Sequence, residues 1–237
     1  FVSKNHAKRH NSDSFVYNGL DWDDYGEVDC NNIRLHFHFL GNASWKVKNV
    51  KGAIDVIKLL PEERLCVLGG KRFNFRMGWR FTFHHRTSFK GMVGGDEKLR
   101  YLKESKGLIF PTIWHEPFGL AIIESLYCGA PVFATPYGSL PELITKEVGF
   151  LTNSRKEMAE HIDANHYSAR ICHEYASDCF NSKIMAEEYL RKYETVLSGH
   201  SLNKNEPIAS EPYKNLPWSN DRNSPLYNSE QYVFNED

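Results

Sequence analysis

The feature that most constrains this chain is residues 109–142, IFPTIWHEPFGLAIIESLYCGAPVFATPYGSLPE. An apolar run at 107–110 reads as a strand, residues 119–127 as a helix, Gly129 as a tight turn and residues 131–135 as a second strand. A helix between two such strands specifies a parallel βαβ unit, because parallel strands need a crossover to connect them. The N-terminus of that helix then falls at the carboxyl edge of the sheet. Ligands of open α/β sheets bind along that edge, where a helix N-terminus offers unpaired N–H groups and the positive end of its dipole. The sequence places Glu116, Pro117, Phe118 and Gly119 there, and Glu124 inside the helix.

Glu124 is the odd residue of the stretch. Leu120, Ala121, Ile122, Ile123, Leu126, Tyr127, Cys128 and Ala130 make the helix apolar over most of its circumference. A carboxylate there leaves water at a cost unless something hydrogen-bonds it. A lone glutamate in such a helix reads as a solvated position or as the partner of a structural arginine. The seven residues separating Glu116 from Glu124, with Gly119 among them, favour a ligand-binding carboxylate instead.

EPFGLAIIE, followed by SLYCGAPVFAT and GSLPELI, resembles the E-x7-E signature of the family 4 retaining glycosyltransferases, in the C-terminal, donor-binding half of their GT-B fold. The likeness runs upstream through VYNGLDWDDY and LGNASWKVKN and downstream to FNSKIMAEEYLRKYETVL, covering roughly residues 1–199. The resemblance implies that Glu116 accepts hydrogen bonds from donor-sugar hydroxyls. It implies that Phe118, Gly119 and Leu120 present main-chain N–H groups to sugar and phosphates, and that Glu124 binds the ribose hydroxyls through both oxygens. Two hydroxyl donors would satisfy a buried carboxylate. Lys48 matches the lysine that holds the donor diphosphate in the family, whereas the family's arginine position is filled by Asn42, so Lys46 or a residue from elsewhere has to supply that charge. The nucleotide base would meet Met92 and Val93. Retention in this family is thought to use no protein nucleophile: the leaving diphosphate helps to deprotonate the acceptor while the protein positions and stabilises charge. Glu116 and Glu124 are therefore not an acid–nucleophile pair of glycosidase type.

The rest of the chain reads as strand–helix alternation, which supports a doubly wound parallel sheet of about six strands without help from the resemblance. Residues 33–40 and 64–68 read as strands, as do 89–93 and 148–151, with helices at 50–60 and 96–104. Ile54, Ile57 and Leu60 form the inward face of the first of these helices. Ser154 is an N-cap for the helix that follows it. GSLPELI puts Glu142 at a short helix, as its cap or as a ligand contact. Residues 73–85, FNFRMGWRFTFHH between flanking residues, alternate aromatic and basic side chains, and read as a covered helix-and-strand segment rather than a nucleic-acid surface, because the net charge is only −1.

In domain terms, residues 1–30 resemble the end of the family's first domain and the linker, 31–199 the nucleotide-sugar-binding domain, and 200–237 a polar tail. The chain thus reads as the C-terminal half of a two-domain enzyme, with its last helix left partly uncovered on an apolar face. Five cysteines without C-x-x-C spacing read as reduced thiols in a cytoplasmic protein. His36 and His38, in H-x-H spacing, lack a third ligand, so no metal is expected; no G-x-G-x-x-G fingerprint implies a dinucleotide cofactor. The expected partners are a nucleotide sugar and an acceptor sugar or glycoconjugate. Two functions follow: a retaining glycosyltransferase, or a non-catalytic nucleotide-sugar-binding or regulatory module.

Overall fold

A computed structural model describes residues 1–73, 83–164, 166–208 and 215–219. Six strands form one sheet: β1 (His36–Leu40), β2 (Leu65–Leu68), β3 (Thr87–Phe89), β4 (Ser105–Phe110), β5 (Val132–Ala134) and β6 (Gly149–Leu151). Their order is β3-β2-β1-β4-β5-β6, and every pair is parallel. The strand order reverses between β1 and β4, which makes the carboxyl ends of these two strands the topological switch point.

Alternation along each strand divides the core between the two faces of the sheet. Phe37 and Phe39 of β1, Leu65 and Val67 of β2, Ile109 of β4 and Phe133 of β5 belong to one buried cluster. That cluster is closed by α2 (Val50–Lys58) and α6 (Arg155–Ala164), through Ile54, Ile57 and Met158 among others. Leu68, Leu108, Phe110, Val132 and Ala134 project to the other face. There they meet α3 (Gly95–Lys103), α4 (Leu120–Tyr127) and α7 (Ala169–Cys179) through Leu102, Ile122, Ile123, Leu126, Cys172 and Ala176. Sheets buried on both faces read as continuous apolar runs, which is why IFP, PVFA and RLCVL stood out as strands.

Several expectations shift in the structure. The first strand starts at His36, three residues late, and Ile33 and Leu35 remain exposed at 73% and 56%. The third strand is Thr87–Phe89, not 89–93; from Lys90 the chain turns, and Gly91 bridges to Gly70. The apolar Met92 and Val93 suggested a strand, but their glycine neighbours Gly91, Gly94 and Gly95 favour a turn. Most of the aromatic–basic segment falls in 74–82, outside the described residues. The start of the chain contains no strand: residues 1–3 lead into α1 (Lys4–Lys8), capped by Ser3.

Glu142 caps α1 from a distance rather than serving its own helix, α5 (Leu140–Leu143). Its carboxylate accepts from Lys4 N at 2.9 Å, Asn5 N at 2.6 Å and the Tyr17 hydroxyl at 3.0 Å. Residues 1–30 are therefore tied to the sheet domain, with Ser3 Oγ donating to Pro117 O at 2.6 Å. The last helix, α8 (Ser182–Leu197), buries no residue, and Leu190 and Tyr193 are each 58% exposed. Part of the polar tail is draped over the domain: Leu216 N donates to Ile113 O and the Tyr137 hydroxyl to Pro217 O.

Candidate functional site

Two loops leave the sheet at the switch point, one after β1 and one after β4. Thr112 Oγ1 and Ile113 N both donate to Val47 O, at 3.0 and 2.8 Å. Asn49 joins the loops a second time: its Oδ1 accepts from Gly52 N at the start of α2, and its Nδ2 donates to Pro111 O. Asn49 itself is left-handed, φ 53°, a conformation that asparagine tolerates better than most residues. This stitching brings Lys48, at the end of a 3-10 turn over Lys46–Lys48, against Glu116.

Lys48 Nζ lies 2.5 Å from Glu116 Oε2, and Trp114 Nε1 donates to the same oxygen at 2.9 Å. The ammonium also sits 5.2 and 5.1 Å from the ring centres of Phe110 and Trp114, within cation–π range. Glu116 is 7% exposed, so this pairing offsets a desolvation cost that an isolated carboxylate could not bear. Its backbone is pinned by Gly138 and Ser139: Ser139 N donates to Glu116 O, and Ser139 Oγ to Phe118 O.

Between the two carboxylates, Gly119 is the N-cap of α4 at φ 99°. A β-carbon there would meet the mobile end of Ile122, Cδ1 at 2.8 Å, so it is the left-handed backbone that calls for glycine at this position. No side chain caps this helix end, which leaves first-turn N–H groups to face the carboxyl edge. Leu120 is exposed there, while the Phe118 side chain turns into the core against Tyr17 and Phe180.

Glu124, one turn further, carries the second paired carboxylate. Its Oε1 accepts from the Tyr25 hydroxyl and from Lys98 Nζ, the latter at 2.5 Å. Burial, and then the hydrogen bond to Glu124, push the Tyr25 phenol well above its usual range, so it stays a proton donor. The cation beside Glu124 is thus a lysine from the first turn of α3, not the arginine a structural reading would supply. Lys98 carries no motif that marks it, and Tyr25, although it closes the VYNGLDWDDY stretch, carries nothing there that marks it as a partner of Glu124. What pointed to such a partner was the carboxylate itself, which needs a donor wherever it is buried.

The remaining expected residues are more peripheral. Asn42 is exposed, and its Oδ1 is spent accepting from Ser44 N at 3.0 Å. Lys46 is exposed at the start of the same 3-10 turn that ends in Lys48. Met92 is 80% exposed, while Val93 packs against the core, in the loop that feeds α3. His38 is fully buried between two hydroxyls, Nδ1 to Ser105 Oγ at 2.6 Å and Nε2 to Ser125 Oγ at 2.9 Å, and burial lowers its pKa to about 3. Among the described residues no group of three or more His, Cys, Asp or Glu side chains is placed to hold a metal ion. No helix among them is long and apolar enough to cross a membrane.

Residues 33–166 match the family of glycosyl transferases group 1, and the chain belongs to that family. Sucrose synthase 1 of Oryza sativa subsp. japonica is 41% identical over 56 residues, 24% of this chain and 7% of that protein. An uncharacterized 41.2 kDa protein of the cps region of Klebsiella pneumoniae is 31% identical over 115 residues, 45% of this chain and 32% of that protein. The chain thus spans only a minor part of the length of these relatives. Among solved structures, AviGT4, a glycosyltransferase of avilamycin A biosynthesis, superimposes with a TM-score of 0.70 at 19% identity, over 84% of this chain and 63% of that one. HepE of Anabaena in complex with UDP-glucose gives 0.61 at 19% identity, over 78% and 57%. At these identities the likeness establishes the fold, that of GT-B glycosyltransferases.

Proposed function

We propose that this chain is the donor-binding half of a retaining glycosyltransferase, which moves a sugar from a nucleotide-diphosphate sugar to an acceptor sugar or glycoconjugate. The observation that carries the reading is the convergence of Glu116, Lys48, the uncapped N-terminus of α4 and Glu124 on the switch point of the sheet. In this assignment Lys48 and the main-chain N–H groups at Phe118, Gly119 and Leu120 hold the diphosphate, whose charge grows as the glycosidic bond breaks. Glu116 takes donor-sugar hydroxyls, Glu124 the ribose, and the loop at Met92 and Val93 the base. No metal or organic cofactor takes part; the donor is a substrate. The reacting acceptor would be presented by a further domain, and residues 1–30 and α8 are the parts that would join the two. Five free cysteines fit a reducing, cytoplasmic setting.

Asn42 favours a second reading. Where the family resemblance expects an arginine, its side chain is occupied in the turn it caps, so the diphosphate site has one cation fewer. A non-catalytic nucleotide-sugar-binding or regulatory module tolerates that loss better than an enzyme does.

Calorimetric titration with UDP, GDP and ADP, and with one sugar nucleotide of each, tests the donor site. One nucleotide should bind and be lost in Glu124→Ala, whereas Glu116→Ala should remove only the additional affinity for the sugar nucleotide. Equal loss of bare-nucleotide binding in both variants contradicts the assignment. Transfer measured together with an acceptor-domain partner then separates enzyme from binding module.

A further inference from the structure

The two oxygens of Glu124 are used unequally. Oε1 accepts from both the Tyr25 hydroxyl and the Lys98 ammonium, while no hydrogen bond from a described residue reaches Oε2. The pair is largely withdrawn from solvent, with side chains 12% exposed for Glu124 and 23% for Lys98. An ion pair alone would neutralise the carboxylate; a second donor on the same oxygen fixes its rotation as well.

The two donors are themselves held from outside the carboxylate. Trp22 stacks on Tyr127 at 4.1 Å, and Tyr25 packs edge-on against both rings, at 5.3 and 5.7 Å. Lys103 Nζ donates to the carbonyls of Tyr25 and Glu27, both at 2.9 Å, anchoring the turn that carries the phenol. Lys98 Nζ lies 5.5 Å from the centre of the Tyr25 ring, so ammonium, phenol and carboxylate constrain one another. Tyr25 comes from the 3-10 turn Trp22–Tyr25, outside the matched family segment 33–166.

We infer that Tyr25 and Lys98 are positioning residues that turn Glu124 into a one-oxygen acceptor, and thereby set the preference of the site for ribose over deoxyribose. This rests on the donor-nucleotide reading proposed above. With Oε1 filled, a ribose reaches Glu124 only through the lone pairs of Oε2, not through both oxygens as the family resemblance implies. A hydroxyl aligned on a fixed, charged acceptor gains more than one that must first order a rotating carboxylate. Removing either donor leaves Oε1 with a single partner and loosens the rotation, and the selective part of the affinity should shrink first.

The test is calorimetry on the whole chain with UDP, ADP and GDP, each paired with its 2′-deoxy counterpart. The wild type should prefer its ribonucleotide by about tenfold, the effect of one charge-assisted hydrogen bond. Lys98→Met and Tyr25→Phe should bring that preference to below about threefold, and Lys98→Arg, which keeps the charge, should restore most of it. Equal weakening of ribo and deoxy forms in Lys98→Met and Tyr25→Phe would show a merely structural role and overturn the inference while leaving the donor site intact. So would a wild type that binds both forms alike. Absence of any nucleotide binding in the wild type would overturn the donor-site reading, and this inference with it.

Discussion

Gly138 lies directly against the main chain of Glu116: a β-carbon on Gly138 would come within 2.3 Å of both the nitrogen and the oxygen of Glu116. The glycine is also left-handed, at φ 66°. The loop after β5 therefore supports the loop after β4, and the position of Glu116, assigned above to the donor sugar, depends on the glycine packed against its main chain. Gly138→Ala should destabilise the chain by more than about 1 kcal/mol, since neither the backbone angle nor the space suits a side chain. It should also lower sugar-nucleotide affinity more than bare-nucleotide affinity, because Glu116 is the group displaced. Urea denaturation and paired titrations with a nucleotide and its sugar derivative give both readings.

Lys48 and Glu116 are 13% and 8% exposed at their side chains, so removing one leaves the other charged and poorly hydrated. Lys48→Met should cost on the order of 3 kcal/mol of stability. Glu116→Gln should cost less, because the amide oxygen still accepts from Trp114. The double variant should recover part of the lost stability but, if Lys48 holds the diphosphate as proposed above, not nucleotide binding, since only the need for the ion pair has been removed. A double-mutant cycle in urea, read beside the calorimetry, separates the two effects.

The fold was legible because its signals are local and repeat. Runs such as RLCVL and PVFA can be buried only in a sheet covered on both faces, and Gly119 and Gly129 mark where α4 begins and ends. Glu116, Glu124 and Lys48 were legible as candidates because spacing and family likeness single them out, and the fold does gather them at one edge. Lys98 and Tyr25 were not, because each reaches Glu124 through a long-range contact that no sequence spacing encodes, and Trp114, although only two residues from Glu116, reads as one more apolar residue of the stretch. Glu142 was placed at the right helix but with the wrong client: its partners, Lys4, Asn5 and Tyr17, lie more than a hundred residues away. Met92 and Val93 looked like strand by composition, and the glycines around them decided otherwise.

Leu190 lies on the apolar face of the last helix, which the sequence leads one to expect partly uncovered; α8 buries no residue and Leu190 is 58% exposed. Leu190→Gln should therefore shift stability by no more than about 0.5 kcal/mol, whereas Leu126→Ala, at a fully buried position of α4, should cost about 2–5 kcal/mol. Urea midpoints of the two variants, measured side by side, check the contrast.

His38 makes the fold sensitive to acid. Burial lowers its pKa from 6.5 to about 3, and His115 shifts the same way, to about 4, through burial and then the nearby Arg9. Both stay neutral in the fold while the unfolded chain protonates them. The unfolded state therefore binds more protons at every pH between the folded and unfolded values. Their contribution to stability is fully present above about pH 6.5 and is lost as the pH falls towards 3 or 4, at up to about 1.4 kcal/mol per pH unit for each group. His38→Gln should be less stable than the wild type at pH 7.5, because one amide cannot serve both Ser105 and Ser125 with the ring's geometry. Its stability should nevertheless fall less steeply between pH 7 and pH 5. Urea midpoints at pH 7.5, 6 and 5 decide the matter: parallel profiles for wild type and variant would mean that His38 does not titrate between folded and unfolded states, and that the two serine hydroxyls, not the protonation state, are what the buried imidazole contributes.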